Sequence, residues 1–317
     1  MYKNREFFQS QPHFGGEFRY SPYLSSTPTN FIMKPLTTPS LAFLSLLLLC
    51  SSFSLSGQIS LQQEWETPAD LKAPESVIYD PVHEVLYVSN INDPSGGADG
   101  NGSIAKISPD GSIQEVEWVS GGMDAPKGLG LRDNLLYVAD PHKVLVIDTD
   151  TGEILKSIEV KDAGMLNDIS IDEEGDVYVS DSKKANIVRI RDGQAEVWLE
   201  DDSLQSPNGL LAHEDKLYMV DMGSGIFYEI AKDTKELRPI AEGLKGGDGI
   251  VALEDGFLIS NWNGEIWQVT AEGEVTKLLD TQAEKINAAD IGFLPGQDLL
   301  LVPTFFANKL VAYKLKD

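Results

Sequence analysis

Short apolar segments rich in Val, Ile and Tyr alternate with turns of Gly, Asp and Asn along the chain after residue 58. Segments such as NLLYVAD, GDVYVSD and KLYMVD have the length and composition typical of strands joined by hairpins. Each is bounded by the residues that favour tight turns. The pattern therefore predicts strands rather than helices.

One unit of this pattern occurs six times: a polar residue in a turn, an apolar run, and a strand that ends in Asp, Asn or Pro. The repeats open at Glu75, Lys127, Asp168, Asn208, Asp248 and Asp290. From the second repeat onward the openings are roughly 40 residues apart, which is the period of a propeller blade rather than of a helical solenoid. We predict an all-β protein, a six-bladed β-propeller of four-stranded antiparallel blades.

The last repeat ends after its third strand, at Asp317. We predict that SLQQEWE, residues 60–66, supplies the missing fourth strand by pairing with residues 309–315. This pairing would close the ring and leave no exposed strand edge. Residues 58–317 then form a single propeller domain, a size that one closed all-β domain can reach.

Residues 1–57 form an N-terminal extension and signal peptide in this interpretation. Lys34 precedes SLAFLSLLLLC, whose apolar run of about ten residues is too short for an ordinary membrane span. The small residues of SLSG follow, as at a signal-peptide cleavage site. We expect export to the periplasm or the exterior. Lipid anchoring through Cys50 is the alternative, although Leu49 is large where such processing sites have a small residue.

The charge is one-sided, with 25 Lys and Arg against 50 Asp and Glu, a net charge of −25. Such a surface repels nucleic acid and anionic lipid, so neither is an expected partner. The excess acid is the composition of a solubilising surface, and it does not by itself locate a metal site.

The first strand of each blade lines the central channel of a propeller, so equivalent residues of the six repeats converge at one end. The predicted ring holds Glu75, Lys127, Asn167 or Asp168, Asn208, Asp248 and Asp290. A cluster rich in oxygen ligands suits a hard divalent cation. Two roles stay open: Lys127 either binds a ligand carboxylate or oxyanion or pairs with Asp168 or Asp290, and Asp290 either joins the metal or caps its turn.

The turns APESVIYD, MLNDISID, SPNGLLAH and GGDGIVAL resemble, in order, the signature turns of the senescence-marker protein/gluconolactonase/luciferin-regenerating enzyme family. The resemblance covers about residues 60–317. It implies that Glu75, Asn208 and Asp248 hold one divalent cation, with Asn167 contacting substrate beside it. Ca²⁺ is the expected ion, and Mg²⁺, Mn²⁺ and Zn²⁺ are alternatives. Asn-Gly and Asp-Gly are also ordinary turn pairs, so the prediction depends on four matches in phase.

The residue types suit this chemistry independently. Two carboxylates and one amide oxygen leave a bound cation with net positive charge and open positions, so it can polarise a lactone or ester carbonyl and acidify water. Asp248 is the candidate general base, and Asn167 and Lys127 are the candidate substrate-binding residues. We predict an exported metal-dependent hydrolase of a small lactone or related ester. The alternative is a non-catalytic propeller that binds a protein or glycan, with a structural ion.

One departure from the family affects the substrate. Many members have an Arg two residues before the substrate Asn, where this chain has Met165. The change weakens the case for a sugar-acid lactone and indicates a more apolar substrate. Trp262, Phe305 and Phe306 follow inner strands of the last two repeats, where they either line the pocket or pack between blades. The histidines lack zinc-site spacing, and no Gly-x-Ser-x-Gly motif is present.

Overall fold

The computed structural model of the protein describes residues 59–93, 97 and 99–316. The predicted signal peptide and Cys50 lie outside the described residues, so export, lipid anchoring and the boundary at residue 57 stay predictions. In the described part of the chain, no helix combines the length and apolar character needed to cross a membrane.

The described residues form six antiparallel sheets of four strands each, one sheet per blade, which confirms the predicted six-bladed propeller. Blade 1 consists of β2 (Pro74–Asp80), β3 (Val85–Asn90), β4 (Ser103–Ile107) and β5 (Ile113–Ser120). Blade 2 consists of β6 (Leu129–Arg132), β7 (Leu135–Asp140), β8 (Lys143–Asp148) and β9 (Ile154–Glu159). Blade 3 consists of β10 (Leu166–Ile171), β11 (Val177–Asp181), β12 (Asn186–Arg191) and β13 (Gln194–Glu200).

The second half of the propeller repeats this arrangement. Blade 4 consists of β14 (Pro207–His213), β15 (Lys216–Asp221), β16 (Ile226–Ala231) and β17 (Leu237–Ala241). Blade 5 consists of β18 (Gly247–Leu253), β19 (Gly256–Asn261), β20 (Glu265–Thr270) and β21 (Val275–Asp280). Blade 6 consists of β22 (Gly292–Leu294), β23 (Leu299–Pro303), β24 (Leu310–Lys316) and β1 (Ser60–Glu66), and two 3₁₀ turns span Pro295–Gln297 and Phe305–Ala307.

The N-terminal strand closes the ring as predicted. β1 pairs antiparallel with β24, from Ser60 opposite Lys316 to Glu66 opposite Val311. Just beyond this ladder, the Thr67 N–H donates to the carbonyl of Leu310 at 2.9 Å, and the Leu310 N–H donates to Thr67 Oγ1 at 3.0 Å. The first and last strands therefore hold blade 6 together.

The core lies between neighbouring blades. β3 and β11 are buried at every position, because both faces of a middle strand pack against other blades. Leu86 and Val88 of blade 1, for example, share one apolar cluster with Leu301 and Ala312 of blade 6. The first strands β2, β6, β10, β14, β18 and β22 contact one another in turn around the channel, including β22 with β2. This closed packing fixes the positions of the residues at the channel mouth.

Candidate metal centre at the channel mouth

Four of the six first strands contain a β-bulge near their N-terminal end. In β14, for example, Pro207 lies opposite Asp221 but Leu210 lies opposite Met219, so the pairing register shifts across the two residues between Pro207 and Leu210. The equivalent shifts occur in β2, β10 and β18. A bulge redirects side chains and is common beside active sites. The residues that occupy these four bulges include Glu75, Asn167, Asn208 and Asp248, the four site residues that the resemblance implies.

The glycine that follows three of the channel residues allows adjacent blades to approach closely. A Cβ on Gly209 would lie 1.8 Å from the carbonyl oxygen of Asp248, and a Cβ on Gly128 would lie 2.5 Å from Cα of Asp168. A Cβ on Gly249 would meet Asp290 Oδ1 at 2.3 Å. These glycines are required by packing between blades rather than by a positive φ, so they are not ordinary turn glycines.

Asn208 and Asp248 come from adjacent blades and are joined by a hydrogen bond. Asn208 Nδ2 donates to Asp248 Oδ1 at 2.7 Å, and both side chains are buried. The amide oxygen of Asn208, Oδ1, is also buried and has no hydrogen-bond donor. A buried acceptor without a donor is costly, and a cation is one partner that removes the cost.

Glu75 shows the same arrangement on the other side of the ring. Lys127 Nζ lies 3.4 Å from Glu75 Oε1, while Glu75 Oε2 is buried without a partner. Lys127 therefore pairs with Glu75. The sequence had suggested Asp168 or Asp290 as its ion-pair partner, and neither is its partner here. Each of the two predicted ligands Glu75 and Asn208 has one atom engaged in protein contacts and one oxygen free to accept.

The electrostatics agree with a cation site. Burial raises the pKa of Glu75, an effect that the ammonium of Lys127 opposes. Burial also raises the pKa of Asp248 well above its usual range, and the nearby charges of Glu75 and Asp290 raise it further. Two buried carboxyl groups that repel each other destabilise their own ionised forms, and a divalent cation between them would reverse that effect.

Asp290 lies one residue deeper in the channel than the ring predicted from the sequence. The Ala289 N–H donates to the carbonyl of Pro303, just as the Lys127 N–H of the channel ring donates to the carbonyl of Ala139. The Asp290 N–H instead donates to the carbonyl of Glu75 at 2.9 Å. Ala289 therefore occupies the sixth position of the ring. We call Glu75, Lys127, Asn167, Asn208, Asp248 and Ala289 the channel ring.

Asp168 shares the deeper level with Asp290, and both have protein partners. Asp168 accepts hydrogen bonds from the N–H groups of Ile169 and Leu210, each at 2.7 Å, and Asp290 accepts one from the Ser76 hydroxyl. Burial raises the pKa of Asp168 to about 8, with further contributions from Glu75 and Asp248, and it raises the pKa of Asp290 well above its usual range. We do not include either residue in the candidate metal shell.

Below this level the channel continues as a cavity of about 300 Å³. Its walls are apolar residues of all six first strands, among them Val77, Leu131 and Phe293, and Asp168 and Asp290 border it. The channel ring side chains do not line this cavity. Asp168 and Asp290 therefore separate the cavity from the candidate metal centre.

Ser182 is a residue that sequence reasoning missed. Its hydroxyl donates to the Pro207 carbonyl at 2.7 Å and lies 3.2 Å from Asn167 Nδ2, from which it accepts. The contact fixes the side-chain amide of Asn167, the predicted substrate contact. Ser182 directly follows Asp181 at the channel end of β11, and this position in the sequence could have indicated that it lies near the channel ring.

The Asp or Asn that ends the second strand of blades 1 to 5 has a structural role. Asp140 accepts from the N–H groups of Asp124 and Ala125, and Asp221 accepts from four N–H groups on the loops at both of its sides. Asp181 does the same, including the N–H of Met165. These carboxylates hold the loops that lead into the channel ring and are not candidate ligands.

The residues present fit a single divalent cation. Within the described residues, no group of three or more His, Cys, Asp or Glu side chains is arranged to hold a metal. The candidate set instead combines two carboxylates, Glu75 and Asp248, with the Asn208 amide, and two of its buried oxygens have no donor. Oxygen-only ligands of this kind suit Ca²⁺ or Mg²⁺ better than a soft metal.

Comparisons with known proteins place this geometry in context. The family described as SMP-30/Gluconolactonase/LRE-like region matches residues 73–297. No curated protein matches the chain. Among solved structures, a streptogramin B lyase has a TM-score of 0.61 at 14% identity, over 81% of this chain and 98% of that one.

Two further structures are similar. A nidogen/laminin complex chain has a TM-score of 0.61 at 17% identity, over 74% of this chain and 97% of that chain. A catalytically inactive variant of virginiamycin B lyase from Staphylococcus aureus with quinupristin has a TM-score of 0.57 at 17% identity, over 82% of this chain and 100% of that one. At these identities the likeness supports the fold alone.

Proposed function

The protein belongs to the SMP-30/gluconolactonase/LRE-like family, and on that premise we propose that it is a divalent-metal-dependent hydrolase of a lactone or related ester. The observation that carries the proposal is the pair of buried oxygens without donors, Glu75 Oε2 and Asn208 Oδ1, beside the Asp248 carboxyl. Buried acceptors need partners, and one cation beside the Asp248 carboxyl group could serve both of these oxygens.

When bound, a divalent cation supplies polarisation of the substrate carbonyl and acidification of water. Glu75, Asn208 and Asp248 would hold it. The hydrogen bond from Asn208 Nδ2 engages Asp248 Oδ1 and leaves Oδ2 outside this bond. Burial and the neighbouring acids raise the pKa of Asp248, and a bound cation would oppose this and keep the carboxyl group ionised, which is the form that accepts a proton.

Hydrolysis of a lactone needs one group that accepts a proton from water and returns it to the leaving oxygen, and Asp248 can do both. Asp248 takes a proton from the attacking water as the water oxygen bonds to the carbonyl carbon. The bond between that carbon and the ring oxygen then breaks, and the leaving oxygen takes the proton back, which yields a hydroxy acid. Asn167, held by Ser182, donates or accepts at the substrate, and the ammonium of Lys127 is placed to stabilise negative charge on it.

The test is a panel of lactones and simple esters assayed with Ca²⁺, Mg²⁺, Mn²⁺ or Zn²⁺ and after chelation. We expect turnover that needs an added cation and is lost in Asp248→Asn. Binding of a cation without turnover of any lactone or ester would instead favour a non-catalytic propeller with a structural ion.

We also propose that the protein is exported, on the strength of the basic and apolar N-terminal segment that ends near residue 57. Expression of the full chain followed by mass measurement of the exported product tests this. A product that retains residues 34–50 would contradict it.

A further inference from the structure

Three aromatic residues form one group at the channel mouth, which we call the aromatic group: Trp262, Phe305 and Phe306. The ring centroids of Trp262 and Phe305 are 4.7 Å apart, and those of Phe305 and Phe306 are 4.8 Å apart. Phe305 is buried, whereas Phe306 is 60% exposed and is one of the few large apolar side chains of the described residues with such exposure. Aromatic side chains supply large apolar contact areas, and apolar surface that continues from a buried cluster to an exposed ring can line a ligand-binding groove.

The aromatic group lies on the loops that lead into the channel ring. Phe305 packs in an apolar cluster with Ala73 and Ala125, which come two residues before Glu75 and Lys127. The Trp262 N–H donates to the carbonyl of Gly246 at 2.8 Å, two residues before Asp248. Through these contacts the group borders the channel ring on the side of Glu75, Lys127 and Asp248.

The loop that carries Phe305 and Phe306 is held in a costly conformation. Phe305 has a φ of +35°, which L-residues with bulky side chains rarely adopt. Asn308 fixes the loop by accepting from the Ala73 N–H at 2.9 Å, and Thr304 Oγ1 donates to the Lys309 carbonyl at 2.9 Å. Backbone strain that the surroundings maintain is concentrated at ligand sites.

Two methionines lie on the opposite side of the mouth, and the exposed Lys183 and Lys184 lie on the neighbouring loop. Met165 precedes Asn167 by two residues, and Met222, which follows β15, is partly exposed beside the next blade. Both side chains are apolar and flexible, and methionine adapts readily to apolar ligands. The mouth therefore places apolar surface on both sides of a polar, acidic floor.

We propose that the mouth is a subsite for an alkyl chain, so that the substrate is a lactone or ester with an aliphatic substituent of several carbons. This inference rests on the proposed function for the reacting group and adds the substituent. An alkyl chain fits better than an aryl ring, because the three aromatic rings meet at interplanar angles of 66° to 84° and form no parallel-sided slot.

The test compares a short and a long member of one series. Turnover is measured with γ-butyrolactone and γ-decalactone. Binding is measured by calorimetry in calcium buffer with the corresponding ring-opened acids, 4-hydroxybutanoate and 4-hydroxydecanoate. Six added methylenes, partly buried, are expected to tighten binding about tenfold or more. Phe306→Ala should reduce this gain to about threefold or less. The matched control is Val82→Ala, since Val82 is 74% exposed in the turn at the opposite end of β2, and it should keep the full gain.

The two readouts separate the two proposals. Turnover of lactones with no effect of chain length on KM or on binding would overturn the subsite and leave the hydrolase. Tighter binding of the long acid, lost in Phe306→Ala, without turnover of any lactone would support the subsite and overturn the hydrolase. An equal loss in Val82→Ala, or a preference for glucono-δ-lactone, would also overturn the subsite.

Discussion

Asn208 Nδ2 donates a hydrogen bond of 2.7 Å to Asp248 Oδ1 across the boundary between blades 4 and 5. The bond fixes which atom of the amide points away from Asp248, because the donor nitrogen is engaged and the oxygen is left buried without a donor. Two residues that are forty positions apart in the sequence are thus joined side by side, one with a free amide oxygen and the other with a carboxyl group held by the bond.

Gly209 is the packing residue closest to this bond. In Gly209→Ala the added methyl group would start 1.8 Å from the Asp248 carbonyl oxygen, so blade 4 or blade 5 must shift. We expect a loss of about 1–3 kcal/mol in the free energy of unfolding, and weaker cation binding as well. The measurement is denaturant unfolding with and without Ca²⁺.

The matched control for that variant is Gly296→Ala. Its added methyl group would have no heavy atom within 4 Å, so its stability should stay near that of the parent. Equal stability of the Gly209 and Gly296 variants would contradict the close approach of the two blades.

Ser182 acts on substrate binding through Asn167. In Ser182→Ala the amide of Asn167 loses its hydrogen-bond partner, so we expect KM to rise by up to about tenfold, or ~1.4 kcal/mol, while the cation affinity is unchanged. Ser182→Thr keeps the hydroxyl and should restore KM. A fall in cation affinity equal to the change in KM would mean that Ser182 supports the ring as a whole and does not position Asn167.

The N-terminal strand should contribute to global stability. Deletion of residues 58–66 removes β1 and exposes the edge of β24 together with the apolar cluster under Trp65. We expect the free energy of unfolding to fall by several kcal/mol, on the order of the largest single-site effects. Thermal unfolding of the truncated and full domains measures it, and unchanged melting would show that blade 6 does not need its fourth strand.

His83 predicts a pH dependence of stability away from the channel. Its Nδ1 lies 2.8 Å from Asp80 Oδ2 and its Nε2 lies 2.9 Å from Asp150 Oδ1, and these hydrogen bonds, that to Asp80 foremost, raise the pKa of His83. Because the pKa is higher in the folded state, the stabilisation is fully present below the unfolded value of about 6.5 and is lost as pH rises through the folded value.

The variant that isolates this effect is His83→Gln. The difference in unfolding free energy between the parent and His83→Gln should be largest in acid and should shrink as the pH rises above about 6.5. A difference that is constant from pH 5 to pH 9 would show that the imidazole has the same pKa in both states.

The sequence was sufficient to predict the blades, their number and the strand that closes them, because alternation and period are local properties of the chain. It also identified the channel ring positions, with Asn167 and Asp168 both open at the third, except in the sixth repeat. There Ala289 and Asp290 both follow an alanine, and only the hydrogen bonds to Pro303 and Glu75 show which of them occupies the ring. A shift of one residue along the strand moves a side chain from the channel ring to the next position down the channel. The spacing of the repeats alone does not reveal such a shift.

Contacts between blades, and some contacts between strands of one blade, were the other part that could not be predicted. Lys127 pairs with Glu75 of a different repeat, and Ser182 contacts Asn167 of a neighbouring strand. In the sequence each of these residues is a single polar position, and nothing in the local pattern indicates its partner. The glycines at 209 and 249 follow Asn and Asp, and the sequence suggested turns there. Their reason is the backbone of the neighbouring blade.

We propose that Glu75, Asn208 and Asp248 share one cation, and calorimetric titration of the apoprotein with Ca²⁺ measures this binding. We predict one site per chain, with affinity reduced at least about a hundredfold, or ~2.7 kcal/mol, in Asp248→Asn and in Glu75→Gln. Asp290→Asn, one level deeper, serves as the matched control and should bind nearly as the parent does. Parent-like affinity in Asp248→Asn, or a loss confined to Asp290→Asn, would contradict the claim.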